Sequence, residues 1–329
     1  MASTTAPASP RYVTDTAAAV RLQGVVKTFP GSPPVTALAG IDLEVRPGEL
    51  FGLLGPNGAG KSTTVGICTT GIRPTAGDVE VQGIDVVRAP ARVKRHLGVV
   101  TQDNTLDRSL TLWENLYHHV RYFGIGARTA RRRADDLLER FRLADRADAF
   151  PRQISGGMAQ RLQIARAVSH QPSVLFLDEP TAGLDPQSRL LLWDLVRDLL
   201  ADGLTIVLTT HQLEEAERLC DRVAIIDHGE VLVCDRPEVL QREHGSGMVV
   251  EVRLRQAVPD DALARIRDHQ DVDAVDRIDG GLRVRAADRD GLVGLLVADL
   301  ADAGLTDLSV SHSTLEGAFI ALTGRDLRE

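Results

Sequence analysis

Nine residues, Gly55-Pro-Asn-Gly-Ala-Gly-Lys-Ser-Thr63, follow directly on the apolar run Glu49-Leu-Phe-Gly-Leu-Leu54 and precede a helix-forming stretch. A G-x-x-x-x-G-K-[ST] loop between strand and helix is the setting of a phosphate-binding loop. Gly55, Gly58 and Gly60 let backbone amides curl round phosphate oxygens without side-chain clash. The helix that follows adds the partial positive charge of its N-terminus. Lys61 is expected to reach the β- and γ-phosphates and the Ser62 hydroxyl to hold Mg²⁺. Asn57 and Thr63 complete the expected nucleotide contacts. The competing reading is a chance glycine-rich turn, which the strand-to-helix setting disfavours.

A second apolar strand, Val174-Leu-Phe-Leu, ends in Asp178-Glu179. By itself such a carboxylate pair is often a solvated loop start. Beside a phosphate loop it suits a metal and water site, with Asp178 toward Mg²⁺ and Glu179 as general base for the attacking water. Together the two motifs specify a nucleoside triphosphatase without saying which kind.

The discriminating segment is Ile154-Ser-Gly-Gly-Met-Ala-Gln-Arg161, which opens another helix. Ser155, Gly156 and Gly157 at a helix N-terminus form either an ordinary serine cap or a second anion site. Here the chain resembles the ATP-binding cassette (ABC) ATPase family, whose signature is written L-S-G-G-Q. Ile154 and Met158 depart from that text, and neither change removes a phosphate-binding group. The resemblance extends in order through Gln102 (glutamine loop), Asp185 in Ala182-Gly-Leu-Asp185 (D-loop) and His211 (switch histidine). It spans roughly Arg21 to Leu240. It implies an α/β P-loop fold, with a RecA-like core, a β subdomain and a helical subdomain. It further implies ATP and Mg²⁺ as cofactors, Phe29 stacked on adenine, and a head-to-tail homodimer. In that dimer each ATP lies between Lys61 of one copy and Ser155 of the other. Lys61, Gln102 and His211 would contact the γ-phosphate, Gln102 would also reach the metal, and Asp185 would couple the two sites.

A narrower similarity rests on Ile72-Arg-Pro-Thr-Ala-Gly77, Thr101-Gln-Asp-Asn-Thr-Leu106 and Leu315-Glu-Gly-Ala-Phe-Ile-Ala-Leu-Thr-Gly324. These segments resemble the daunorubicin-resistance type of drug-export ATPases, which work with separate permeases of the ABC-2 type. That implies an integral membrane partner and a cytoplasmic location on the inner face of the membrane. The alternatives are an import ATPase, a soluble ABC protein acting on ribosomes or DNA, and a cassette without activity.

Length and composition set the remaining bounds. The 329 residues suffice for two domains, and hydrophobic residues at 43% supply the cores. The 38 basic and 46 acidic residues give a net charge of −8, which argues against nucleic acid as a main ligand. Cys68, Cys220 and Cys234 are scattered without metal-ligand spacing and read as reduced, buried thiols. No apolar run approaches the ~20 residues that span a bilayer. Residues 1–19 read as a disordered tail without a secretion signal. Residues 20–243 form the expected ATPase domain, with a helical subdomain at about 103–170 that opens on a Thr111-Leu-Trp-Glu114 capping box. Arg131, Arg132 and Arg133 read as a solvated helix face. Residues 248–329, beyond a glycine-containing linker, have a βαββαβ rhythm and one further helix, the pattern of a ferredoxin-like α+β accessory domain.

Overall fold

The computed structural model describes residues 18–245, 247–256, 258, 260–278, 280–286, 291–311 and 314–324. The chain divides into two compact units, Met1–Cys234 and Asp235–Glu329.

The first unit runs β1 (Val20–Phe29), β2 (Val35–Val45), β3 (Leu50–Leu54), α1 (Lys61–Cys68), β4 (Ala76–Val81), β5 (Ile84–Asp85), α2 (Pro90–Val93), β6 (Leu97–Val100) and α3 (Leu112–Tyr122). It continues through α4 (Ala127–Arg140), α5 (Gly156–Val168), β7 (Val174–Asp178), α6 (Pro186–Ala201), β8 (Thr205–Thr210), α7 (Leu213–Leu219), β9 (Arg222–Asp227) and β10 (Glu230–Asp235). Its main sheet has the order β10-β9-β3-β8-β7-β6. The neighbours β9, β3, β8, β7 and β6 pair in parallel. Every residue of β3 and β8 is buried, as expected of strands covered on both faces and therefore apolar throughout rather than alternating. Because these strands are parallel, the loops leaving β3, β8, β7 and β6 emerge at one edge. That edge carries the Gly55 loop, His211, Glu179 and Gln102 side by side.

A second, antiparallel sheet has the order β2-β1-β4-β5. Its inward residues Leu22, Val25, Ile41 and Val79 share one core with Phe51, Leu53, Val65, Phe176 and Val207 of the main sheet and α1. The start of the chain joins this core sooner than a tail ending at residue 19 would. Ala18 and Ala19 are buried, and Ala19 N donates to Val45 O at 2.8 Å. Residues 1–17 of the expected tail lie outside the described residues.

The helical part opens with the expected capping box. Glu114 N donates to Thr111 Oγ1 at 3.2 Å, and Thr111 N donates to Glu114 Oε2 at 2.9 Å. Ala130, Ala134 and Leu138 form the buried stripe of α4 at fourfold spacing. Arg131 and Arg132 are exposed on its other face. Arg133 instead donates to Ser169 O at 3.1 Å and to Gln171 Oε1 at 2.8 Å, so it fastens α4 to the segment after α5. Cys68 and Cys220 are buried and Cys234 is half-buried, all as free thiols. Burial pushes the Cys68 thiol up to about 12 and the Cys220 thiol well above its usual range, which leaves both inert.

The second unit contains α8 (Pro237–His244), β11 (Met248–Leu254), α9 (Asp260–Arg267), β12 (Val272–Ile278), β13 (Gly281–Ala286), α10 (Leu292–Leu300), β14 (Leu305–Ser311) and α11 (Leu315–Thr323). Its antiparallel sheet has the order β12-β13-β11-β14, the split-βαβ arrangement. Val250, Val252, Leu282 and Val284 pack on Leu263, Ile266, Leu292 and Leu296 of the helices. The other sheet face carries cross-strand ion pairs, Arg283–Glu251 at 2.7 Å and Arg285–Asp276 at 3.1 Å. The division between units falls ahead of the linker expected near residue 245. The reason is α8, which packs against the last helix, α11, with Leu240, Leu315 and Phe319 all fully buried.

Candidate nucleotide site

The loop after β3 has the geometry its glycines require. Gly58 and Gly60 have φ of 82° and 113°, the left-handed region that glycine enters without penalty. A Cβ on Gly60 would lie 2.7 Å from Ala37 O. Lys61 begins α1 and is buried, and its Nζ donates to Gly55 O at 2.7 Å and Pro56 O at 3.0 Å. Burial lowers the Lys61 pKa, opposed by the charges of Glu179 and Asp178. The ammonium and both carboxylates therefore share one electrostatic environment. Asn57 and Ser62 are exposed and Thr63 half-exposed at the mouth of the loop.

The carboxylate pair is held by β8. The Thr209 hydroxyl donates a short hydrogen bond to Asp178 Oδ1 and accepts one from Glu179 N at 3.1 Å. Glu179 N also donates to Thr209 O at 3.0 Å. These bonds hold Glu179 at φ 49°, a conformation that costs a non-glycine residue about 1–3 kcal/mol and survives only where its surroundings over-determine it. The result turns the Glu179 side chain toward two other expected site residues. His211 Nδ1 lies 3.1 Å from Glu179 Oε1, and Gln102 Nε2 lies 3.5 Å from Glu179 Oε2. Lys61, Gln102, Asp178, Glu179 and His211 thus converge, although they come from four separate segments of the chain.

Ser155, Gly156 and Gly157 do not join them. Ser155 caps α5, with Oγ accepting from Met158 N at 3.3 Å. Among the described residues no hydrogen bond or ion pair links these three to the convergent group. Gly156 has open space at its Cα. Gly157 has a packing reason to be glycine, since a Cβ there would lie 2.5 Å from Ser188 Oγ. Asp185 caps α6, accepting from Ser188 N at 2.9 Å and Ser188 Oγ at 2.7 Å, bonds that hold its carboxyl below the usual range. Phe29 sits at the end of β1, 37% exposed, with Lys27 Nζ 4.8 Å from its ring centre.

Three structural features around this group are not legible in the sequence. Thr209 looked like one more β-branched strand residue, yet its hydroxyl organises both carboxylates. Thr105, three residues past Gln102, is gripped by α5: its N donates to Gln163 Oε1 at 3.3 Å, and its O and Oγ1 accept from Arg166. Glu215 in α7 is fully buried beneath the site. The only signal for Thr209 was its place two residues before His211. For Arg166 and Glu215 nothing in the residue pattern separated them from an ordinary helical surface.

The sequence profile described as ABC transporter matches residues 38–182. Daunorubicin resistance ATP-binding protein DrrA3 of Streptomyces coeruleorubidus is 43% identical over 294 residues, covering 89% of this chain and 92% of the relative. This chain belongs to the ABC transporter ATP-binding proteins. Nod factor export ATP-binding protein I of Ralstonia nicotianae is 40% identical over 300 residues, covering 89% of this chain and 91% of that protein. Among solved structures, a dimeric ATP-binding cassette in a post-hydrolysis state with ADP and Pi superposes with a TM-score of 0.62 at 30% identity. That alignment covers 66% of this chain and 98% of the cassette. The fold is therefore that of the P-loop ABC ATPases, and the protein is an ATP-binding, ATP-hydrolysing subunit of an ABC transporter. Among the described residues no helix of this ABC ATPase is long and apolar enough to cross a membrane.

Proposed function

We propose that this ABC ATPase powers export of a drug or hydrophobic small molecule through a separate membrane permease of the ABC-2 type, acting as a homodimer at the cytoplasmic face of the membrane. The observation that carries the site assignment is the meeting of Gln102 and His211 on Glu179 beside the Lys61 loop. The names of the Streptomyces and Ralstonia relatives, for daunorubicin resistance and Nod factor export, support the direction of transport.

The Lys61 loop binds the nucleotide phosphates through backbone amides and the Lys61 ammonium. Phe29 offers its ring to the adenine base. Ser62, Asp178 and Gln102 would hold Mg²⁺. Such hard oxygen ligands suit an ion that keeps waters and phosphate oxygens in its coordination shell. The bound ion supplies charge neutralisation at the β- and γ-phosphates. Glu179 orients and deprotonates water for in-line attack, and His211 fixes the Glu179 carboxylate while facing the γ-phosphate. Ser155 and Gly157 of the second copy close over the same phosphate with the N-terminus of α5. Positioning and charge stabilisation carry most of the rate, as phosphoryl transfer requires. Release of phosphate removes the bridge between copies, and the helices between Gln102 and Ser155 pass that opening to the permease.

Glu179→Gln tests the assignment. It keeps the fold and ATP binding, slows turnover at least about a hundredfold, and accumulates the ATP-bound dimer on size exclusion. Near-normal turnover in this variant refutes the role of Glu179.

A further inference from the structure

Glu215 is an acidic side chain only 1% exposed, on the seven-residue helix α7 that begins two residues after His211. A buried carboxylate is costly unless its neighbours use it. Those neighbours come from the segment that leads into His211, the loop that follows Glu179, and α6. Trp193 Nε1, in α6, donates to Glu215 Oε1 at 3.0 Å. The hydroxyls of Thr210 and Thr181 and the charge of Arg189 all bear on the same carboxylate, opposing the rise in its pKa that burial causes. Neither hydroxyl closes a well-aligned hydrogen bond on Oε2. Thr210 immediately precedes His211, and its Oγ1 also accepts from Gln212 N at 2.9 Å, bracketing the histidine. Thr181 lies two residues beyond Glu179. Arg189 and Trp193 belong to α6, the helix that Asp185 caps.

We propose that Glu215 is a positioning residue for ATP hydrolysis: through its bond from the Trp193 indole, one buried carboxylate ties α7, which follows His211, to α6, which Asp185 caps, so that His211 is presented to Glu179 in fixed register. Glu215 acts by restricting where the His211 ring sits relative to the Glu179 oxygen 3.1 Å away. This rests on the reading of Glu179 and His211 as hydrolytic residues. A misplacement of about 1 Å at such a centre costs on the order of a hundredfold in rate, so a residue that acts through another acquires a kinetic phenotype.

The test uses the full-length chain and steady-state ATP hydrolysis, with ATP affinity and thermal unfolding measured alongside. Glu215→Ala is expected to lower kcat by about 10- to 100-fold with KM for ATP within about twofold of the parent. Glu215→Gln, whose Oε1 still accepts from the Trp193 indole, restores most of that rate. Thr210→Val removes the hydroxyl beside His211 at little change in volume and gives the same kcat-selective loss, so the inference stays testable if Glu215→Ala does not fold. The decisive variant is the double Glu215→Ala/His211→Ala, or Thr210→Val/His211→Ala, which is expected to be no slower than His211→Ala alone. Losses that multiply in the double variant overturn the inference, as does parental kcat in both Glu215→Ala and Thr210→Val. A His211→Ala chain at parental kcat overturns the assignment of His211 itself and the inference with it. A slow His211→Ala with multiplying losses overturns the inference alone.

Discussion

Arg166, in the helix that Ser155 caps, donates a 2.7 Å hydrogen bond to the carbonyl of Thr105, three residues past Gln102. A second bond runs from the same guanidinium to the Thr105 hydroxyl. Gln163, one turn earlier on the same helix, accepts from Thr105 N. The segment carrying Gln102 and the helix carrying Ser155 are therefore joined at one residue. In the proposed head-to-tail dimer those two segments would serve different nucleotides, and this joint would link the two sites mechanically.

Arg166→Ala is expected to leave ATP binding to the single chain within about twofold. It lowers hydrolysis about tenfold and weakens ATP-driven dimerisation, because an unpaired Thr105 carbonyl and an untethered Gln102 segment cost on the order of 1–3 kcal/mol. ATP titration of hydrolysis against dimer formation by analytical ultracentrifugation separates the two effects. An Arg166→Ala chain that dimerises and hydrolyses normally shows the joint to be idle.

Gly60→Ala places a methyl group against the Ala37 carbonyl at 2.7 Å, on a residue with φ of 113°. The loop shifts rather than accepting both penalties, which together reach several kcal/mol. ATP binding falls at least about a hundredfold, measured by calorimetry. The second unit, whose core shares no residue with this loop, keeps its strand signature by circular dichroism.

His119 and His170 predict a specific acid sensitivity. His170 Nε2 must donate to Leu97 O at 2.9 Å, which leaves Nδ1 buried without a partner. Its ring stacks on Phe123 at 3.7 Å, and His119 packs edge-on to it. Burial, with Arg166 and His170 adding repulsion at His119 and Arg133 at His170, lowers both pKa values to about 4 from 6.5. The folded state thus binds fewer protons than the unfolded state between these values. The stability these histidines contribute is fully present above pH 6.5 and is lost as pH falls to about 4. Melting curves at pH 7 and pH 5 should show a loss of ~1 kcal/mol per pH unit for each histidine. The loss should shrink in His119→Gln/His170→Gln.

Much of the site was legible because phosphate chemistry demands local sequence. A loop that wraps phosphate needs Gly58, Gly60 and Lys61 in order, and a metal and water site needs Asp178 and Glu179 adjacent. The capping box at Thr111 and the β11–β14 alternation are equally local. What escaped depended on neighbours distant in sequence. Thr209 matters because β8 lies beside β7, and Arg166 because α5 packs on the Gln102 segment. The motif alone makes Gly157 an anion ligand, whereas Ser188, whose Oγ a Cβ there would meet at 2.5 Å, adds a packing demand. The unit boundary at Cys234 was hidden for a similar reason, since only the return of α11 onto α8 moves that helix into the second unit.

Each reaction centre is expected to take Lys61 from one copy and Ser155 from the other, and mixing two dead variants tests this most directly. Lys61→Ala and Ser155→Arg are each expected to be inactive alone. A mixed dimer retains one site in which an intact Lys61 loop faces an intact Ser155 helix. A 1:1 mixture therefore recovers up to about a quarter of the parental rate, half of the dimers being mixed and half of their sites whole. Ser155→Arg chains that hydrolyse ATP at the parental rate by themselves would contradict the account, as would mixed dimers that form and stay silent.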